Sequence, residues 1–245
     1  MLDAPKWIGL LERGIDLVQD RRDPVRGQAK RLIAVFEAYG IARQQIARVL
    51  PVELQIPPSL FSTPDKLREA ITPSLLDWAA EFLALDRGWL DGVSRGPHLR
   101  VDGYKDEERY ADWFRRRKAV APSVDTRTVM VWSSSALAPD DFARAGVLCL
   151  LYSEATPSFD DKELNRYWLL SENWPLEHGH CLISMCRVVQ IAESLRIRVA
   201  GRVLPERLLR RLDDGRLLAP QAASRIGKMW YPEDLVPVLV DESVT

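Results

Sequence analysis

Cysteine, long apolar runs and net charge are all scarce in this sequence, and each scarcity argues against a class of protein. The 245 residues include three cysteines, Cys149, Cys181 and Cys186, which cannot all pair with one another. An odd number fits a reducing cytosol better than a disulfide-bonded secreted fold. No segment approaches the roughly 18 apolar residues of a membrane helix, and charged residues interrupt the amino-terminal segment, unlike in a signal peptide. We therefore expect a cytoplasmic protein without membrane contact.

Motifs for catalysis and cofactor binding are also lacking. The sequence contains no glycine-rich dinucleotide or phosphate-binding loop and no Gly-x-Ser-x-Gly pattern, and the run 133–135 of serines lacks flanking glycines. One group of metal-ligand residue types occurs, formed by His178, His180, Cys181 and Cys186. Its spacing does not match the paired ligands of structural zinc sites. We therefore expect no catalytic residue, no metal and no cofactor, and hence a protein that is not an enzyme.

The distribution of charge is more informative than its total. The formal net charge is −1, so any electrostatic attraction to nucleic acid must be local. Residues 21–50 carry seven basic and two acidic side chains, which gives that segment a formal charge of +5. A hydrophobic content of 47% is typical of a globular chain. The length allows one large domain or two modest ones.

The first third of the sequence has the periodicity of amphipathic helices. Apolar residues at helical spacing predict helices over residues 5–19, over a segment ending at Gly40, and over residues 42–50. Thr72 and Pro73 form a cap with proline in the first turn, which predicts another helix with Leu75 and Leu83 facing the core. A last short helical turn runs from Asp86 and stops at glycine. These elements predict an all-helical amino-terminal domain.

Two of these segments resemble the helix-turn-helix family of the lambda repressor, Cro and the xenobiotic-response-element regulators. Residues 41–50, IARQQIARVL, are similar to the first helix of the family's DNA-binding motif. Residues 75–92, which end in DRGWLDG, resemble its closing helices. The resemblance covers residues 26–94, under a third of the chain. It implies a DNA-binding domain that contacts double-stranded DNA.

The segment that follows the motif helix departs from the family pattern. A recognition helix is expected after Leu50, but the chain continues PVELQIPPS, and an interior proline costs a helix about 3 kcal/mol. Only a short turn over residues 52–56 is compatible with Pro57 and Pro58. Two interpretations stay open. Either the base-reading element is unusually short, or the fold keeps its core and no longer reads a groove.

The resemblance also implies which side chains would contact DNA. Arg43 stands at the start of the motif helix, where family members contact a phosphate, and the other candidates flank it. The full set of candidates is Lys30, Arg31, Arg43, Gln44, Gln45 and Arg48. Exposed basic residues on a helix are also common as solvated surface, so the pattern alone allows both interpretations.

A charged, flexible segment around Gly96 and Pro97 predicts a domain boundary. Residues 105–120 read as a helix within a linker (residues 96–125), and its basic run at 115–118 is typical of a solvated helix end. From residue 126 the pattern changes to short β-rich runs. Strands are expected at 128–132, 147–152, 164–170 and 197–203. A helix at 182–195 that is apolar over most of its surface must be covered on several sides.

The carboxy-terminal module contains several tryptophans that could line a ligand pocket. Aromatic residues in a domain core are the alternative interpretation of the same pattern. The candidates are Trp132, Trp168, Trp174 and Trp230. A small-molecule or protein ligand at this module is therefore one hypothesis.

Together these patterns predict an α+β protein in three parts: a helical, repressor-like domain (residues 1–95), a linker helix (96–125) and a small α/β sandwich (126–245). The functional hypothesis is a bacterial-type transcriptional regulator that binds DNA through the first domain and senses a signal or forms a homodimer through the last. The alternative is an adaptor or anti-repressor, in which the repressor-like core contacts protein instead of DNA.

Overall fold

A computed structural model describes residues 23–103, 106–137, 146–156, 164–171 and 173–237. The helix predicted at residues 5–19 lies outside the described residues. Contacts between Cα atoms divide the chain into two compact units. Unit 1 comprises Met1–Glu81 and Asp86–Arg95, and unit 2 comprises Phe82–Leu85 and Gly96–Thr245. That the two parts fold independently, as the boundary near Gly96 suggests, stays a prediction.

Unit 1 is built from short helices. The α-helices are α1 (Pro24–Ala38), α2 (Arg43–Val49), α3 (Pro64–Leu67), α4 (Pro73–Leu83, of which the last two residues belong to unit 2) and α5 (Arg87–Asp91). Two 3-10 helices, Val52–Leu54 and Pro58–Ser62, connect α2 to α3. Fully buried apolar side chains from α1, α2 and the second 3-10 helix form its core, among them Phe36, Ile46 and Phe61.

Local capping chemistry sets the ends of several of these helices. Thr72 accepts a hydrogen bond from the Leu75 amide (3.2 Å) and opens α4, as the sequence predicts. The Asp86 carboxylate accepts from the Gly88 amide (2.7 Å) and opens α5. Gly92 ends α5 in the left-handed conformation (φ 83°), which favours glycine.

The segment between Pro57 and Thr72, for which the sequence analysis predicts no helix, contains the 3-10 helix Pro58–Ser62 and α3. Each of these helices has a proline in its first turn. The N–H groups of a first turn have no acceptor within the helix, so the missing N–H of proline costs no hydrogen bond there. The Thr63 hydroxyl accepts from the Lys66 amide (3.3 Å) and caps α3. Burial of Phe61 and Leu67 stabilises both turns, so the prolines that exclude a long helix here start short ones.

Unit 2 contains a mixed sheet. Its strands are β1 (Arg127–Ser133), β2 (Val147–Ala155), β3 (Asn165–Leu169), β4 (Trp174–Pro175), β5 (Arg198–Val203) and β6 (Met229–Trp230). The strand order is β3-β2-β1-β5-β6, with β4 paired to β2. β1 is antiparallel to β2 and parallel to β5. The described chain is thus a helical region followed by a sheet with helices, which confirms the α+β class.

Helices lie against the sheet of unit 2. They are α6 (Glu107–Val120), α7 (Gly179–Ser194), α8 (Glu206–Asp213) and α9 (Ala219–Ala223), with a 3-10 helix at Pro232–Leu235. Helix α7 packs against α6 and β5, and eight of its residues are buried, as the predicted all-round apolar pattern requires. No helix within the described ranges is long and apolar enough to cross a membrane.

The helix predicted as part of a linker belongs to the core of unit 2. Tyr110 and Phe114 on α6 are fully buried in the same apolar cluster as Tyr152 on β2. The ring centroids of Phe114 and Tyr152 are 5.6 Å apart. Because α6 buries these large aromatic side chains against the sheet, residues 96–125 are not a separate connecting segment in the structure.

A buried carboxylate joins α6 to the sheet. Glu154 on β2 is fully buried, and one of its oxygens pairs with the guanidinium groups of Arg117 and Arg166, the latter at 2.8 Å. Its other oxygen accepts a hydrogen bond from the Tyr152 hydroxyl (3.2 Å). The Arg117 guanidinium also lies 4.6 Å from the ring centre of Trp168. This cluster of one anion and two cations fixes the position of α6 over β2 and β3.

Candidate functional site

The exposed side of α2 is the first candidate for a functional surface. Ile46 and Ala47 are buried and anchor this helix in unit 1. Gln44 and Arg48 are exposed. Because residues four apart lie on the same side of a helix, these two side chains share one solvent-facing surface. Of the six residues predicted to contact DNA, these two are exposed over the whole residue, although the Arg43 side chain is still 38% exposed.

Arg43, the central candidate from the sequence, has partners inside unit 1. Its guanidinium donates to the Glu37 carboxylate (2.7 Å) and to the Ser62 carbonyl (2.9 Å). The hydrogen bond with Glu37 raises the pKa of Arg43 further above its usual value. Arg43 therefore links α1, α2 and the 3-10 helix Pro58–Ser62. Its role in binding a phosphate stays a prediction. In the structure, Arg43 stabilises the packing of these three elements.

Arg31 and Gln45 also stabilise unit 1. Arg31 donates to the Leu90 carbonyl (2.9 Å), and its guanidinium lies so close to Gly92 that a Cβ there would approach it to 2.9 Å. The Gln45 side chain accepts from the Ala42 amide (3.2 Å) and caps the start of α2. Lys30, the remaining candidate, is half-buried on α1.

The segment expected to hold a recognition helix is short. Val52–Leu54 forms a single 3-10 turn, and the Gln55 side chain donates back to the Leu50 carbonyl (2.7 Å), which closes the segment on itself. Val52 is 83% exposed, and Pro57 and Pro58 are exposed as well. No more than one helical turn is therefore available here to enter a groove.

The second candidate site is a cavity in unit 2, of about 450 Å³. It lies beside the end of β3 and the first turn of α7. Its wall is mostly apolar and includes Val101, Tyr110, Leu170, Trp174, Pro175 and Cys181. Arg100, Asn173 and His178 add polar groups to the wall. A cavity of this size and composition suits a small organic ligand.

Most polar groups around this cavity are held by the fold. The Tyr110 hydroxyl donates to the Leu170 carbonyl. Arg100 donates to the Asp213 carbonyl (3.0 Å) and carboxylate (3.1 Å). Asn173 donates through its amide nitrogen to the Leu209 carbonyl (3.3 Å), but its Oδ1 atom is buried without a hydrogen-bond partner among the described residues.

Burial favours the thiol form of the two cysteines near this site. Burial raises the pKa of Cys181, which lines the cavity, and raises that of Cys186 to about 12. A thiol is a weaker metal ligand and nucleophile than a thiolate. Within the described ranges, no three His, Cys, Asp or Glu side chains come together in a way that could hold a metal ion. The expectation of a metal-free, non-enzymatic protein stays a prediction.

Comparison with known proteins identifies no relative of this chain. No family model, curated protein or solved structure matches the chain. The resemblance to repressors therefore stays a prediction from the segments 41–50 and 75–92.

Sequence patterns anticipate only part of the second site. Of the four tryptophans proposed to line a pocket, Trp174 borders the cavity, whereas Trp132, Trp168 and Trp230 are buried elsewhere in unit 2. The polar wall residues Arg100, Asn173 and His178 carry no motif, because the fold brings them together from separate loops. A polar residue beside a predicted pocket tryptophan, such as Asn173, was the one available signal.

Proposed function

We propose that the chain is a DNA-binding regulatory protein in which unit 2 binds a small ligand or forms a homodimer. The observation that carries this proposal is the exposed surface of α2, where Gln44 and Arg48 lie side by side while the buried face of the helix is anchored. Amide and guanidinium groups are common donors to phosphate oxygens. The basic segment around this helix supplies local attraction in a chain of nearly neutral net charge.

The short turn at Val52–Leu54 determines what kind of binding to expect. With one helical turn available, few side chains can reach base edges, so phosphate contacts dominate. Such binding depends steeply on salt and weakly on sequence. A homodimer would raise the affinity, because the second unit binds at a high effective concentration.

Protein binding is the second candidate function of unit 1. The turn after α2 presents Val52, 83% exposed, followed by the exposed Pro57 and Pro58. An exposed apolar side chain next to prolines suits a protein contact better than a phosphate contact. Arg43, whose charge is paired with Glu37, is also less available to DNA than the sequence suggests.

Removing the polar side chains from α2 tests the first function. In fluorescence anisotropy with a labelled DNA duplex, we expect the double variant Gln44→Ala, Arg48→Ala to bind roughly tenfold more weakly than the unmodified protein. Losing one phosphate contact should lower the salt slope by about one unit and act equally on all sequences. The matched control is Arg116→Ala, which removes one exposed charge from α6 of unit 2. An equal loss in both variants contradicts docking through α2, and a chain that binds no DNA even at low salt favours the protein-binding function.

The ligand function of unit 2 has its own test. Indole has an apolar ring that suits the cavity wall and one N–H group that can donate to a polar wall residue such as Asn173. We expect saturable indole binding in ligand-observed NMR, weakened about fivefold in the variant Asn173→Leu, which loses the acceptor. Ser224→Leu, at an exposed position outside the cavity, is the control. Unsaturable binding, or equal affinity in all three proteins, rules out this cavity as the ligand site.

A further inference from the structure

A second concentration of positive charge occurs in unit 2. Residues 196–228 contain nine basic and three acidic side chains, so the segment carries a formal charge of +6. That exceeds the +5 of residues 21–50, in a chain whose total is −1. The rest of the protein is therefore strongly acidic, and the positive charge is concentrated rather than averaged over the surface.

The fold places this charge on the side of the sheet that faces away from α7. Side chains alternate between the two faces of a strand, and Val199 and Val203 on β5 pack against the apolar cluster that contains α7. Arg198 and Arg202 therefore project from the opposite face. Helix α8 packs against β1 and β2, and α9 packs against α8. Leu209 and Leu212 of α8 are buried but do not belong to the α7 cluster.

The few acidic residues of the segment are mostly paired already. Glu206 pairs with Arg210 (2.5 Å), and Asp213 pairs with Arg100 (3.1 Å). Arg202 is held by the Ala223 carbonyl (2.6 Å), which it reaches across the end of α9. These contacts connect β5, α8 and α9 and leave the other cations of the segment facing solvent.

Six exposed cations of β5, α8 and the loops on either side of α9 have no ion pair among the described residues, and we name this set the basic surface. Its members are Arg198, Arg207, Arg211, Arg216, Arg225 and Lys228. Arg211 donates only to the neutral carbonyl of Arg216 (3.3 Å), so its charge is not compensated. Arg207 and Arg211 are four residues apart on α8 and so lie on one side of that helix. Asp214 is the one exposed acidic residue within residues 196–228.

Large apolar side chains border the basic surface. Ile226 is fully exposed and Tyr231 is 66% exposed, close in sequence to Arg225 and Lys228. Met229, on the edge strand β6, is 49% exposed. A surface that combines unpaired cations with an exposed tyrosine has the groups that contact phosphate and sugar in nucleic-acid complexes.

We propose that the basic surface of unit 2 is a second nucleic-acid contact, which binds the phosphate backbone of duplex DNA. This inference rests on the proposed DNA-binding function and extends it beyond α2. Five of the six cations are arginines, whose planar guanidinium groups match phosphate geometry and donate two hydrogen bonds at once. Contacts from unit 2 would also compensate for the short turn that follows α2 in unit 1.

The test compares two double variants that change the net charge equally. Arg207→Ser with Arg211→Ser removes two members of the basic surface. Arg115→Ser with Arg116→Ser removes two exposed cations from α6. DNA affinity of the full chain is measured by anisotropy between 50 and about 200 mM salt. Each lost phosphate contact reduces the salt slope by about 0.9 units. We therefore expect the α8 variant to lose nearly two units of slope and at least tenfold in affinity, and the α6 variant to lose less than half as much.

The outcomes separate this inference from the proposed function. If the α8 and α6 variants weaken DNA binding equally while Gln44→Ala, Arg48→Ala is more severe, the basic surface is not a DNA contact and the α2 docking stands. If the α8 variant alone is impaired, the inference stands and docking through α2 fails. A chain that binds no DNA overturns both. Binding to anionic phosphatidylserine vesicles that the α8 variant loses, with DNA binding intact, shows that the surface serves a membrane and overturns the inference. Circular dichroism confirms that each variant is folded.

Discussion

Replacing Glu154 by glutamine should destabilise unit 2 by about 3 kcal/mol. The substitution keeps the shape of the side chain but removes the one anion that pairs with Arg117 and Arg166 among the described residues. The side chains of these arginines are 19% and 20% exposed. Removing one partner of a buried ion pair typically costs about 3–5 kcal/mol, because the remaining charge is left uncompensated. The partial exposure of both arginines places the expected loss at the lower end of that range. Urea unfolding monitored by tryptophan fluorescence measures it.

A surface ion pair on α6, the helix that carries Arg117, provides the control. Asp112 pairs with Arg115 at 2.8 Å, but both side chains are more than 60% exposed, so Asp112→Asn should leave the unfolding midpoint nearly unchanged. A midpoint for Glu154→Gln that equals that of the control would show that the cluster does not hold α6 against the sheet.

Acidification should destabilise unit 2 through His98. This side chain is 2% exposed and accepts a hydrogen bond at Nε2 from the Ala219 amide (2.8 Å), so its proton is on Nδ1. Burial lowers the pKa of His98 to about 4, and a hydrogen bond with the backbone of Tyr167 offsets only part of this decrease. In the unfolded chain the pKa of His98 is near 6.5, so at pH values between about 4 and 6.5 the unfolded state binds a proton that the folded state does not. The contribution of neutral His98 to the free energy of unfolding is therefore fully present above about pH 6.5 and is lost as the pH decreases towards 4.

The size of the effect follows from the two pKa values. Protonation of the unfolded state should cost about 2 kcal/mol at pH 5 relative to pH 7, since one pKa unit corresponds to about 1.4 kcal/mol. The variant His98→Gln keeps an acceptor but does not titrate. Unfolding free energies at pH 7 and pH 5 should therefore decrease about 2 kcal/mol more in the unmodified protein than in this variant. Parallel decreases would mean that His98 is protonated in the folded state.

Features set by neighbouring residues were predictable from the sequence. Thr72 with Pro73, and Asp86 with Gly92, set the ends of α4 and α5 through bonds that span two or three residues. The run 147–152 reads as a buried strand because it is apolar on both faces, and it lies in β2. Both kinds of signal are complete within a few residues.

Features that depend on distant residues were not predictable. Arg43 has the position of a phosphate contact in the sequence, but its partner, the Ser62 carbonyl, lies 19 residues away in a 3-10 helix that no sequence pattern predicted. The cavity likewise combines Arg100 with Asn173 and His178. The charge of residues 196–228 can be counted from the sequence. Only the fold shows that Glu206 pairs with Arg210 and Asp213 with Arg100, and that the six cations of the basic surface have no ion pair among the described residues.

The most direct test of the proposed function is the salt dependence of DNA binding by the unmodified chain. Anisotropy with a labelled duplex is recorded at 50 mM and about 200 mM salt, next to a second duplex of unrelated sequence. Contacts from α2 and the basic surface together predict a slope of log K against log salt of about −4 or steeper, similar for both duplexes. Absence of binding at 50 mM salt, or an affinity that does not respond to salt, would contradict a protein that binds DNA through its phosphates.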